Sequence, residues 1–120
     1  MEGIRTYRDL IIWQKAHGFT LAVFQLTSQL PREERFELTS QHRRAVLSVP
    51  ANIVEGFKRK GVKDKNNFSS IALGSLEEAL YFLLLAHDLG YLSNKTYEDI
   101  IHKGEEVRKL LTKWRTYAPK

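Results

Sequence analysis

Glu98 and His102 stand four residues apart in a segment with helical patterning, a spacing that would aim a carboxylate and an imidazole the same way and let them share one cation. A metal there would need help from ligands elsewhere, and few surround the pair, so a solvated ion pair is the better reading. His17, His42, His87 and His102 are scattered singly, a distribution more typical of packed or hydrogen-bonded histidines than of catalytic ones. Ser48 and Ser75 have no neighbouring histidine and acid in a nucleophile motif, and the seven glycines form no phosphate-cradling loop. The absence of cysteine excludes disulfides, thiolate metal sites and a thiol nucleophile together, and fits a reducing cytoplasm. The sequence therefore predicts a protein that is not an enzyme and carries no cofactor or metal.

The remaining chemistry is cationic. The chain has a net charge of +5, which favours polyanionic partners. Lys58, Arg59, Lys60, Lys63 and Lys65 face only Asp64 within one short stretch, and a second basic set, with Arg108, Lys109, Lys113 and Arg115, closes the sequence. Between them, Phe68 to Tyr91 carries Glu77, Glu78 and Asp88 with no lysine or arginine. Arg43 and Arg44 add a third basic position. These eleven cations are the candidate nucleic-acid contacts, and phosphate contacts of this kind give salt-dependent affinity with little sequence readout. For base stacking, Phe57 adjoins the first basic set and Tyr117 the C-terminal one, and both could equally belong to the core.

The elements that position these groups read as helices. Ile12, Ala16, Phe19, Val23, Leu26 and Leu30 alternate steps of four and three, which predicts a first helix from about Leu10 to Leu30, stopped by Pro31. The loop would be Pro31 to Glu37. Thr39 is a candidate N-cap, with Leu38 as a hydrophobic staple, for a second helix over Ser40 to about Lys58 whose face is Ala45, Val49, Ile53 and Gly56. Pro50 within it predicts a kink. Lys58 to Lys65 then reads as an exposed connector, with Asp64 capping the next helix.

The third helix carries a seam of Phe68, Ala72, Ser75, Ala79, Phe82, Ala86 and Leu89, and a second stripe of Leu73, Leu76, Leu80 and Leu84. A helix apolar around so much of its circumference needs a cover, which makes that stripe the candidate oligomer interface. Gly90 ends the helix, and Ser93 or Thr96 caps a fourth, with Tyr97, Ile100, Gly104, Val107, Leu111 and Trp114 as its seam to about Arg115. The expectation is one domain spanning residues 1–120, an all-α, antiparallel up-down four-helix bundle with helix two kinked near Pro50. The N-terminus does not look like a signal peptide, and the strongest apolar run, Ala79 to Ala86, is far short of a membrane span.

Arg44, Ser48, Asn52 and Glu55 fall on one side of helix two, a polar stripe in a packing helix. It reads as a structural network in preference to an RNA surface, with Glu55 pairing an arginine and Asn52 bonding backbone freed by Pro50. Together with Tyr7-Arg-Asp-Leu-Ile-Ile-Trp-Gln-Lys-Ala16, Pro31 with Glu34, Leu38-Thr-Ser-Gln-His-Arg-Arg-Ala45, Ser48-Val-Pro-Ala-Asn-Ile-Val-Glu-Gly56 and Ile71-Ala-Leu-Gly-Ser-Leu-Glu-Glu78, this helix gives the sequence a resemblance. It resembles, over nearly its whole length, the four-helix-bundle proteins encoded within intervening sequences of bacterial large-subunit ribosomal RNA genes, a family that includes the accessory variability proteins of diversity-generating retroelements. The resemblance implies a ring-shaped homopentamer with RNA or a reverse transcriptase as partner. A protein-interaction scaffold with no nucleic-acid role is the alternative.

Overall fold

The computed structural model describes residues 3–117, with side chains to Trp114. Four long helices form it: α1 (Ile11–Thr27), α2 (Ser40–Lys58), α3 (Val62–Asp88) and α4 (Asn94–Tyr117). No strand occurs among the described residues, and the protein is an all-α four-helix bundle. α1 and α3 each pack against both α2 and α4, so the four enclose one core.

A 3-10 turn at Tyr7–Asp9 leads into α1, held by a capping box in which Thr6 accepts from Arg8 N and Asp9 accepts from Thr6 N. α1 ends at Thr27, three residues before the expected stop, and Leu30 is held only by a turn bond to Thr27 O. The expected loop after Pro31 is also wound: Arg32–Glu34 is a 3-10 turn and Arg35–Thr39 a π-helical turn that runs directly into α2. Thr39 is therefore no N-cap. It has helical φ and ψ and makes no capping bond, because the chain is already helical when it arrives. Leu38 is buried.

α2 keeps its expected bounds and runs through Pro50 as one helix. The basic connector is shorter than expected. α3 begins at Val62, with Gly61 at its N-cap and no side-chain cap, so Lys63, Asp64 and Lys65 lie in the first turn and Asp64 is not the cap. α3 ends in a Schellman motif: Leu89 is the C-cap, Gly90 takes φ +85°, Tyr91 N donates to Ala86 O and Gly90 N to His87 O. Ser93 Oγ then accepts from Thr96 N to cap α4.

Across α2 and α3, Gly56 meets Phe68, Ser48 meets Ser75 and His42 meets Phe82, so one number falls as its partner rises. The same inverse order relates α3 to α4 through Glu77 with Arg108 and Leu80 with Gly104, and α1 to α4 through Lys15 with Glu106 and Phe19 with Gly104. The N-terminal end of α1, the C-terminal end of α2, the start of α3 and the end of α4 consequently gather at one end of a molecule 45 Å long and 24 by 21 Å across.

The core is built from Ile12, Ala16, Phe19, Val23 and Leu26 of α1, Ala45, Val46, Val49 and Ile53 of α2, Ala72, Leu76, Ala79, Leu80 and Leu83 of α3, and Ile100, Val107 and Leu111 of α4. α3 corrects the expected phase. Its buried stripe is Ser69, Ala72, Leu76, Ala79, Leu80, Leu83 and Ala86, while Phe82 is half-buried and Leu89 exposed. Leu76 and Leu80, read from the sequence as an outward stripe, are in the monomer's own core, because the core line runs between the two stripes. Leu73 packs on the core's edge, and only Leu84 of the four is exposed. By length and composition α3 could also cross a membrane; in this bundle its buried stripe packs against the neighbouring helices.

Candidate nucleic-acid interface

The structure sorts the eleven candidate cations into those already engaged and those left to solvent. Arg43 is engaged. From α2 its Nε donates to Thr27 Oγ1 at 2.8 Å and its Nη2 to Phe24 O at 3.2 Å, and its guanidinium lies 4.6 Å from the Phe24 ring centre. It thus bonds the C-terminal turn of α1, where a cation also complements the helix dipole. Lys65 does similar work for α2, its Nζ donating to the carbonyls of Gly56 and Phe57 at 3.2 and 3.4 Å.

Arg108 forms a two-point pair with Glu77, at 2.6 Å through Nε and 2.8 Å through Nη2. The Arg108 hydrogen bond holds the Glu77 carboxyl below its usual range, and Glu77 in turn raises the Arg108 pKa. Arg59 pairs with Glu55 at 3.3 Å and lies 4.8 Å above the Phe68 ring. Four of the eleven are therefore occupied within the chain.

Lys58, Lys60, Lys63, Lys109 and Lys113 are exposed, and none forms an ion pair among the described residues. Arg44 is exposed too, but on the first half of α2, away from the others. Arg115 and Tyr117 lie outside the residues whose side chains are described. The bundle draws the surviving lysines together: Trp114, beside Lys113, stacks its ring edge on Gly56 only two residues before Lys58. Sequence reasoning treated the connector and the end of α4 as separate patches, and it missed Arg8. That residue is exposed where the 3-10 turn joins α1, its carbonyl accepting from Gln14 Nε2 at 2.8 Å, and so joins the same end. The signal for Arg8 was the capping box that fixes its turn.

The polar stripe on α2 divides into two. Asn52 Nδ2 donates to Ser48 O at 2.7 Å and Ser48 Oγ at 2.9 Å, and Ser75 Oγ donates to Ser48 Oγ at 2.8 Å, linking α2 to α3. Asn52 thus bonds the Ser48 carbonyl, not the Val46 carbonyl that Pro50 leaves without its helical donor. Glu55 joins Arg59, and Arg44 takes no part.

Elsewhere, His102 is exposed, with Glu105 at 3.9 Å as its nearest acid. Among the described residues no group of three His, Asp or Glu side chains could hold a metal ion. A surface depression of about 1010 Å³ is lined from Glu98 to Lys109 by α4 alone, which makes it the open side of one helix and not a cleft.

A four-helix bundle that collects exposed lysines from separate stretches of sequence at one end defines a class of basic helical-bundle proteins. The chain belongs to the 23S rRNA-intervening sequence protein family, whose model matches residues 8–113. It is also similar to a crystal structure of a protein of unknown function from the S23 ribosomal protein family of Bacteroides thetaiotaomicron VPI-5482. That likeness has a TM-score of 0.81 at 28% identity over 88% of this chain and 98% of the other. No curated protein matches the chain.

Proposed function

We propose that the chain is a non-enzymatic nucleic-acid-binding protein, acting on RNA in the cytoplasm as a homo-oligomer, with a pentameric ring the assembly that the family resemblance implies. The observation that carries the reading is the convergence of Lys58, Lys60, Lys63 and Lys113 at one end, exposed and, among the described residues, without ion pairs. Three of these lysines stand near helix ends and Lys60 on the three-residue connector between two helices, so they attract phosphate with little ordering cost to the backbone. Membership of a family described by ribosomal RNA intervening sequences supports an RNA-associated role. An accessory role beside a larger nucleic-acid enzyme such as a reverse transcriptase fits the same surface.

A second reading is a protein-interaction scaffold, favoured by Leu47 on α2 and by Ile71, Tyr81, Leu84 and Leu89 on α3, all large apolar side chains at least 40% exposed. Light scattering behind size exclusion, followed by binding of the eluted species to structured RNA across a salt series, tests both. An oligomer whose affinity falls steeply with salt supports the first reading. An oligomer that binds no nucleic acid at low salt supports the scaffold, and a monomer would remove the ring.

A further inference from the structure

We infer that the basic end takes the paired phosphate backbone of an RNA duplex and not the bases of a single strand; this rests on the nucleic-acid reading above. Proteins that hold single strands combine a cationic groove with exposed aromatic rings on which bases stack. Among the described side chains, the rings at the basic end are turned to packing. Phe57 is half-buried, Phe68 lies under the Arg59 guanidinium, and the Trp114 ring sits against Gly56 so closely that an added Cβ would be 3.0 Å from it. Tyr7 and His17 flank Trp13 at 5.0 and 4.8 Å between ring centres, which occupies the aromatic faces of α1. Among the described residues the large exposed aromatic side chains are Phe36, in the π turn before α2, and Tyr81, in the second half of α3, both away from this end.

The kinds of cation agree. Arginine forks read base edges and stack on bases, whereas lysine acts as a point charge toward phosphate. Arg43, Arg59 and Arg108 are occupied by Thr27, Glu55 and Glu77, and among the described residues the exposed cations without an ion pair at this end are mostly lysines, Lys58, Lys60, Lys63 and Lys113, beside Arg8 on the 3-10 turn. Lys58, Lys63 and Lys113 stand near helix ends and Lys60 on the short connector between α2 and α3, within a face 24 by 21 Å across. A duplex offers about one charge per 1.7 Å of axis, against roughly 3.4 Å along one strand, so a compact rigid cluster meets more phosphates on a duplex. A-form RNA is recognised through its shape and backbone, which suits a surface whose described rings are engaged in packing.

The test is fluorescence anisotropy of the full chain with a fully paired RNA hairpin and with oligouridine of equal phosphate number, each over a salt series. The hairpin is expected to bind about tenfold more tightly, with its salt slope reduced by about one for each of Lys58→Ala, Lys60→Ala and Lys63→Ala. Lys95→Ala, at the opposite end, leaves the slope unchanged, and circular dichroism of each variant checks its helix content. Oligouridine binding as tightly as the hairpin overturns the duplex inference and leaves the nucleic-acid reading standing. Failure of both to bind at low salt overturns the reading itself.

Discussion

Arg43 on α2 holds the end of α1, its Nε donating to Thr27 Oγ1 at 2.8 Å across the helix pair. The same guanidinium reaches Phe24 O, which already accepts from Ser28 N, and lies over the Phe24 ring, so one side chain adds a second donor to the last turn of α1 and packs an aromatic face. Arg43→Ala is expected to destabilise the fold by about 1–2 kcal/mol, a charge-assisted hydrogen bond together with lost packing. Arg43→Lys should recover little, since a single ammonium cannot reproduce the fork. Denaturant midpoints check the stability. RNA affinity of the folded variant should stay within about twofold of the parent, and a steep loss would return Arg43 to the phosphate-contacting set.

Arg108 and Glu77 form the better-aligned pair but the weaker support. Their side chains are 40 and 53% exposed, so solvent screens the interaction despite its two-point geometry. A double-mutant cycle with Arg108→Ala and Glu77→Ala is expected to give a coupling of about 1 kcal/mol or less. The Glu77 carboxyl is depressed, chiefly by the Arg108 hydrogen bond, so its contribution is present above the ordinary carboxylate range and is lost as pH falls through the depressed value. The cycle repeated in high salt should shrink further; a coupling unchanged by salt would show a desolvated pair.

His42 has the opposite consequence. Its ring is fully buried between α2 and α3, 5.8 Å from the Phe82 ring centre, and neither ring nitrogen has a partner in hydrogen-bond geometry. The backbone of Ala79 tends to raise the pKa, but burial outweighs it and pushes the value down to about 4. The unfolded chain therefore takes up a proton near the ordinary histidine value that the folded chain refuses. Stability is full above about pH 6.5 and declines as pH falls toward 4, by roughly 3 kcal/mol on full titration. Thermal melts of the parent and His42→Phe across this window check it. The substitution should flatten the slope, and an equal slope in both would assign the acid sensitivity to other groups.

The bundle is legible in the sequence where local pattern decides structure. α2 keeps its bounds from Ser40 to Lys58, and Ile12, Ala16, Phe19, Val23 and Leu26 are all buried. α3 is less legible because both of its stripes are apolar, and periodicity alone cannot choose between two faces about 130° apart on a helix of 3.6 residues per turn; Leu76 and Leu80 turn inward because α2 and α4 flank the line between them. The basic sets are visible as composition, but their availability is not. Thr27 lies 16 residues from Arg43, and Glu77 lies 31 from Arg108. Which lysines remain for a partner is thus set by tertiary pairing that no local window contains.

Gly104 and Gly18 should respond oppositely to the same substitution. A Cβ at Gly104 would stand 2.5 Å from Leu80 Cδ2 and 3.1 Å from Phe19 Cε1, both buried side chains in the centre of the core. Alanine favours a helix over glycine by about 1 kcal/mol, but a contact as close as that to Leu80 forces packed side chains to move, at a cost toward the upper part of the ~1–3 kcal/mol range for overpacking. Gly104→Ala is expected to be net destabilising. At Gly18, on the exposed side of α1, a Cβ meets nothing within 4 Å, so the propensity gain stands alone and Gly18→Ala should stabilise by up to about 1 kcal/mol. Urea midpoints of the two variants decide the matter. A stabilised Gly104→Ala would mean that Leu80 can rotate away, and that the approach of α4 to α1 and α3 is looser than these distances require.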